Sequence, residues 1–420
     1  MTPNEAEEIK NPFKPGAGHM PPYLAGREQE DSEFKVLLRQ EVILANMILT
    51  GLRGLGKTVL LEKFKPIAIQ AGWLWAGTDL SEATSISEEN LVMRILTDLA
   101  IATSSIVTGS RLVSKPGFAG GESRPVETRL NYPALRAVYD GALGLSTDRL
   151  KAVLEFIWPY VEQSGRRGVI FAYDEAQNLA DHATKEQYPL SLLLDVFQSV
   201  QRKGMRFMLV LTGLPTLFPK LVEARTYTER MFHTVFLDPL NELQTTEAIR
   251  NPIEKSKCPI NVAPESVKTI WGITRGYPYF VQYVCREAFD VWVQAYQLKE
   301  PVPPIPVQEI IRKLDSDFFA GRWARTSDRQ RDLLGVISRL PSCDSEFTVQ
   351  EVVDSHVNKA LEKSFSSSHT NQMLYTLSEA GLIYKNRHGK YSFAVPLLGD
   401  FIRRQEEQGI PKVPQGELFR

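Results

Sequence analysis

Cysteine is scarce. Cys258, Cys285 and Cys343 are the only three in 420 residues, and none falls in a Cys-x-x-Cys pair. That spacing offers neither a disulfide framework nor a zinc site and reads as small buried hydrophobes. Long apolar runs are missing too: nothing approaches the roughly 18 consecutive apolar residues a transmembrane helix needs. The first ten residues, Met1 to Lys10, are acidic and lack the apolar core of a secretory leader. Cytoplasm is therefore the expected location, with no membrane partner. An excess of either charge is also lacking, with 49 Lys and Arg against 50 Asp and Glu, so any basic surface must be local. No internal repeat stands out. What remains is an ordinary globular composition, 43% hydrophobic, long enough for two or three domains.

The stretch Gly51-Leu52-Arg53-Gly54-Leu55-Gly56-Lys57-Thr58 fits the Gly-x-x-x-x-Gly-Lys-Ser/Thr pattern of a phosphate-binding loop. Before it, Met47-Ile48-Leu49-Thr50 is short, apolar and β-prone. After it, Val59, Leu60, Phe64, Ile67 and Ile69 recur at helical spacing up to Gly72. Strand, glycine loop, helix is the order the chemistry requires. Glycines let successive N–H groups turn toward phosphate oxygens, and the helix N-terminus adds unpaired N–H groups and the positive end of its dipole. ATP is therefore expected along Gly51 to Val59, with Lys57 bridging the β- and γ-phosphates and the Thr58 hydroxyl on Mg²⁺.

A second informative run, Val169-Ile170-Phe171-Ala172-Tyr173-Asp174-Glu175, reads as a buried parallel strand with two acids at its C-terminal edge. Ligands bind at that edge in open α/β sheets. Asp174 is expected to hold Mg²⁺ through its water shell, and Glu175 to act as general base on the attacking water. Arg206 to Gly213 reads as another buried strand, placing the Thr212 hydroxyl where it would meet the γ-phosphate or the water.

Between these landmarks, Asn11 to Arg27 is rich in Pro and Gly and should be irregular, lying across the nucleotide's base. Trp73 to Gly77 reads as a strand. Ser87 to Ala102 reads as an amphipathic helix, with Ser87 as N-cap above Glu89. Residues 104–131 break the pattern as a long loop or small hairpin, and Thr147 to Gln163 resumes helical spacing. Helix–strand alternation through Thr234 to Leu237 predicts an α/β parallel sheet. From Asp238 the strands stop and helices follow. A Pro-rich bend, Glu300 to Pro306, precedes a helix from Val307 to about Phe319. Helices at Ser327 to Ser338, Thr348 to His356 and His369 to Glu379, then a hairpin from Leu382 to Phe393, suggest a winged helix. The expected division is an N-terminal extension 1–27, an ATPase core 28–238, a helical lid 239–320, a winged helix 321–405 and a tail 406–420.

These motifs resemble the AAA+ superfamily of P-loop ATPases, in the branch of origin-recognition initiators and bacterial ATP-binding proteins, and extend toward the signal-transducing STAND NTPases. The resemblance runs from Leu24-Ala25-Gly26-Arg27 through the P-loop, the Asp174-Glu175 strand, the Thr212 strand, the lid and the winged helix. It implies a sheet order of 5-1-4-3-2, Walker A at Lys57 and Thr58, Walker B at Asp174 and Glu175, sensor 1 at Thr212 and an arginine finger at Arg230, with Arg225 a rival. It also implies ATP hydrolysis. One departure stands out: where many AAA+ lids carry the sensor 2 arginine, this chain has Gly276-Tyr277-Pro278-Tyr279.

Three functions compete. The first is an ATP-driven machine or switch on double-stranded DNA, assembling as an ATP-dependent homo-oligomer or with a protein partner. The others are a STAND-like signalling switch and a slow nucleotide-dependent scaffold. The expected DNA contacts are Lys385, Arg387 and Lys390 at the hairpin tip, beside His369, Thr370, Asn371 and Gln372 on a recognition-like helix. Twelve Lys and Arg against nine Asp and Glu in 321–405 make only a modest basic footprint.

Overall fold

The computed structural model describes residues 9–16, 18–113, 124–387 and 389–407. The chain divides into two units, Gly26–Gly51 with Gly56–Asp238, and Met1–Ala25 with Leu52–Leu55 and Pro239–Arg420.

The first of these is an α/β layer. Its strands are β1 (Asn46–Thr50), β2 (Trp73–Ala76), β3 (Val107–Val113), β4 (Arg124–Arg129), β5 (Gly168–Tyr173), β6 (Phe207–Gly213) and β7 (Phe232–Phe236). Five form one parallel sheet in the order β2-β5-β6-β1-β7. Written in chain order this differs from 5-1-4-3-2, because β3 and β4 take two numbers yet pair only with each other, as an antiparallel hairpin outside the sheet. The Thr212 strand, β6, lies between β1 and β5.

Every residue of β1, β5 and β6 is buried, as continuous apolar runs covered on both faces should be. The Phe171 ring meets Phe197 edge-on at 5.0 Å, and Phe34 stacks on Phe64 at 4.1 Å. The Asn46 side chain joins β1 to β6 and to the end of the helix Thr228–Met231 that leads into β7. It accepts from Leu209 N–H at 2.7 Å and donates to the Met231 carbonyl at 3.2 Å, so a polar residue at a buried strand start is satisfied rather than costly.

Two expectations are revised in this unit. A helix, Tyr132–Gly141, follows the hairpin; it is capped by Asn131, which accepts from Ala134 N–H at 3.1 Å. Ser87 does cap its helix, accepting from Asn90 N–H at 3.2 Å. Glu89 does not return to the cap; it bonds Arg136 at 2.6 Å and Tyr139 at 3.0 Å. The hairpin tip at 114–123 lies outside the described residues.

The second unit is helical. Glu242–Lys255, Pro264–Thr274 and Pro278–Gln297 pack around Trp292, Phe289 and Phe280. The N-terminal segment joins this unit: Phe13 meets Phe289 edge-on at 5.9 Å, and Asn11 donates to the Arg286 carbonyl at 2.9 Å. Val307–Leu314 runs through a π-turn at Asp315–Phe319 into Ala320–Trp323. Asp328–Ser338, Val349–Asp354, His356–Lys359 and Ser367–Glu379 follow, then the hairpin of β8 (Ile383–Arg387) and β9 (Lys390–Phe393) and a last helix, Leu398–Glu407. The single helix expected over Thr348 to His356 is interrupted at Ser355, whose ψ of 136° is extended and whose hydroxyl caps the next turn at Val357. Phe347 exchanges two 2.8 Å backbone bonds with Tyr391, adding a third strand position to the hairpin. His388, the Arg387 side chain and the tail beyond Glu407 lie outside the described residues.

Candidate functional site

β1 delivers the chain to Gly51, and the loop turns through Gly54 (φ 83°) and Gly56 (φ 87°). L side chains rarely adopt these left-handed values. Nothing stands within 4 Å of where a Cβ on Gly56 would sit, so backbone conformation, not crowding, calls for glycine there. Lys57 opens the helix Lys57–Gln70, whose first N–H groups have no partner within the helix. Lys57 is buried at 7% exposure and its Nζ donates to the Gly51 carbonyl at 2.9 Å. Leu52 and Val59 are half-buried and Leu55 is buried, whereas Arg53 and Gly54 are exposed. The loop tip Leu52–Leu55 groups with the helical unit, in which Tyr279 N–H donates to the Gly54 carbonyl at 3.1 Å.

Asp174 is the centre of the arrangement. It is 2% exposed, at the end of β5. Thr58 Oγ1 donates to its Oδ2 at 2.5 Å, Thr212 Oγ1 donates to its Oδ1, and Glu175 N–H donates to Oδ1 at 2.8 Å. Three donors on one carboxylate offset its removal from water. The sheet order causes this convergence: with β6 between β1 and β5, the ends of all three strands open onto one edge.

Glu175 is half-buried and left-handed, φ 51° and ψ 34°, and its Oε2 accepts from Gln177 Nε2. Asp79, which sequence reasoning did not single out, joins the cluster through a bridge to Asp174. Burial, then the charges of Asp174, Glu175 and Glu62, push its carboxyl above the usual range. A carboxylate three residues past the end of β2, at the same sheet edge, was the signal available for it. Gln177 was likewise passed over, since an amide inside a turn carries no motif.

The donor set fits Mg²⁺. Thr58 and Asp174 supply hard oxygens to one point, and that ion takes few protein ligands and keeps water and phosphate for the rest. Among the described residues no group of three or more His, Cys, Asp or Glu forms a metal cage, as such a site requires none.

Other expected positions lie apart from this cluster. Arg230 is exposed on the short helix Thr228–Met231, and its guanidinium pairs with no carboxylate among the described residues. Arg225 is committed instead: it bonds Asp195 through two nitrogens at 2.9 and 2.8 Å, with Tyr227 on the same carboxylate at 2.7 Å. In the helical unit, Arg275 is tied to Asp344 at 2.6 Å and Asp400 at 2.8 Å. On Ser367–Glu379, His369, Asn371 and Gln372 are exposed, but Thr370 is fully buried. The helix turns that position into the core, so Thr370 is not presented outward as expected. Lys385 is exposed and Lys390 half-buried. Among the described residues no helix is long and apolar enough to cross a membrane.

A family described as a domain of unknown function (DUF8462) matches residues 316–402. No curated protein matches the chain. Among solved structures, the Walker-type ATPase of Pyrococcus abyssi superposes with a TM-score of 0.54 at 16% identity, covering 90% of this chain and 96% of that one. The ORC2 protein of Aeropyrum pernix in its ADPNP–ADP complexes gives 0.52 at 13%, covering 94% and 98%. Its ADP form gives 0.53 at 14%, covering 96% and 100%. The chain shares its fold with these solved ATPase and ORC2 structures.

Proposed function

We propose that the chain binds Mg-ATP along Gly51 to Val59 and hydrolyses it, coupling the nucleotide state to conformational change or assembly. The observation that carries this reading is the convergence of Thr58, Thr212 and Glu175 on the Asp174 carboxylate, with Thr58 two residues after the left-handed Gly56. Thr58 and Asp174 would hold Mg²⁺, which when bound neutralises phosphate charge and orients the γ-phosphoryl group. Lys57 exchanges its hold on the Gly51 carbonyl for phosphate oxygens. Thr212 orients, Glu175 takes a proton from water, and Arg230 supplies positive charge to an adjacent copy's phosphates. The Aeropyrum ORC2 protein, of the same fold, was obtained with ADPNP and ADP. Titration of a fluorescent ATP analogue and a phosphate-release assay test this together. The parent chain should bind and turn over, and Lys57→Ala should lose both; parental binding by Lys57→Ala would remove the P-loop from the account.

The partner we assign is double-stranded DNA, met by residues 321–405 acting as a winged helix. Support comes from the polar face of Ser367–Glu379, where His369, Asn371, Gln372 and Tyr375 are exposed, and from Lys385 and Lys390 on the adjoining hairpin. A second reading, a slow switch without DNA, is favoured by Tyr277 at the lid position where an arginine would sit and by the commitment of Arg275 to two carboxylates.

A further inference from the structure

We propose that Gln177 is a positioning residue for hydrolysis, its carboxamide fastening the Glu175 carboxylate to the backbone just beyond Thr212. This rests on the functional reading above. Gln177 Nε2 donates to Glu175 Oε2, while Gln177 Oε1 accepts from Leu214 N–H at 3.1 Å. The Gln177 carbonyl is itself held by Lys220 Nζ at 2.7 Å. That lysine is half-buried, and the loss of water lowers its pKa against the raising influence of Asp181 and Glu223. Asn178, the next residue, donates to the Leu80 carbonyl at 2.8 Å. One side chain thus joins the ends of β5 and β6 and is anchored from both sides.

The chemistry needs such a hold. A glutamate has three side-chain torsions, and its charged end sweeps freely unless an oxygen is pinned. Gln177 pins Oε2 and leaves Oε1 without a donor among the described residues, so Oε1 is the oxygen available to accept a proton from water. The carboxamide does both tasks at once, its nitrogen giving a hydrogen to Glu175 and its oxygen taking one from Leu214. Gly213 makes the room: a Cβ there would stand 2.6 Å from Gln177 Oε1. Because Leu214 follows Thr212, the tether also places the general base in register with the hydroxyl that bonds Asp174.

The test compares parent, Gln177→Ala, Gln177→Glu and Gly213→Ala by steady-state phosphate release and nucleotide titration, each also in a Glu175→Gln background. The expected result is a fall in kcat of about 10–100-fold, the cost of a reacting group misplaced by about an ångström, with nucleotide Kd within about twofold of the parent. Gln177→Glu keeps the acceptor for Leu214 but cannot donate to Glu175, so it should lose rate like the alanine variant; a purely structural residue would tolerate it better. Gly213→Ala retains Gln177 and displaces its oxygen, so it reads the tether even if Gln177→Ala folds poorly. With Glu175→Gln present, none of the variants should cost a further loss, because residues acting through one another are not additive. Parental kcat in both Gln177 variants, or full additive losses in the Glu175→Gln background, would overturn the inference while a hydrolysing parent preserved the functional reading. A parent chain that binds nucleotide without turnover would overturn both.

Discussion

Glu175 combines a chemical role with a conformational cost, and the two separate experimentally. Its φ of 51° and ψ of 34° put a non-glycine residue in the left-handed region, which costs roughly 1–2 kcal/mol. Glycine escapes that cost but loses about 0.5–1 kcal/mol through the larger freedom of its unfolded chain. Glu175→Ala and Glu175→Gly both surrender the Gln177 hydrogen bond, so their difference isolates the backbone. Glycine should be the more stable by about 0.5–1 kcal/mol. With a urea m-value of about 1–3 kcal/mol/M, the midpoint separation is roughly 0.2–1 M, read from the fluorescence of Trp73, which is fully buried in the same unit. Phosphate release should move the other way. Glu175→Gln, Glu175→Ala and Glu175→Gly should all lose about 10²–10⁴-fold in rate, the usual worth of a general base, while nucleotide binding persists. A glycine variant no more stable than alanine would show that φ at 175 carries no strain. A glutamine variant hydrolysing at the parental rate would remove Glu175 from the chemistry.

Arg230→Ala should lose about 10³–10⁵-fold in turnover, and mixing it with Lys57→Ala chains should restore part of the activity; no rescue at any ratio would place its action elsewhere. Changing Lys385, Arg387 and Lys390 together to alanine should weaken binding to labelled duplex DNA and flatten the salt slope by up to about three units, and unchanged binding by fluorescence anisotropy would exclude the hairpin. Burial raises the Asp195 carboxyl, but hydrogen bonds from Arg225 and Tyr227 and the Arg225 charge outweigh it and hold it below its ordinary range. A carboxyl lowered in the fold contributes stability that is full above its unfolded value and disappears as pH falls through the folded one. The stability gap between parent and Asp195→Asn should therefore be widest near neutrality and close below about pH 4, and a gap independent of pH in urea titrations would refute the assignment.

The parts of the site legible in the sequence are those whose chemistry is contiguous. Met47 to Thr58 and Val169 to Glu175 each contain their own strand signal and their own reactive groups, so spacing alone places lysine, hydroxyl and carboxylates at strand ends. The parts that were not legible depend on pairings between distant segments. Gln177 acquires its meaning only when β6 lies beside β5 and brings Leu214 to its oxygen, and Asp79 only when β2 lies on β5's other side. Arg225 and Arg230 are indistinguishable as local sequence; Asp195, thirty residues earlier, separates them by engaging one and not the other. The same physics accounts for the misreadings. Glu89 stands two residues after Ser87, one short of the capping-box position that Asn90 holds, and Arg136, on a helix the sequence pattern had not revealed, engages it instead. Thr370 went wrong for a related reason: the polar letters His369 to Gln372 conceal a helical face, and burial of Met373, Leu374 and Leu377 carries Thr370 inward with them. Motif chemistry is local and can be read early, whereas the groups that orient it are chosen by topology, which is why the orienting residue Gln177 emerges only once the strand order is known.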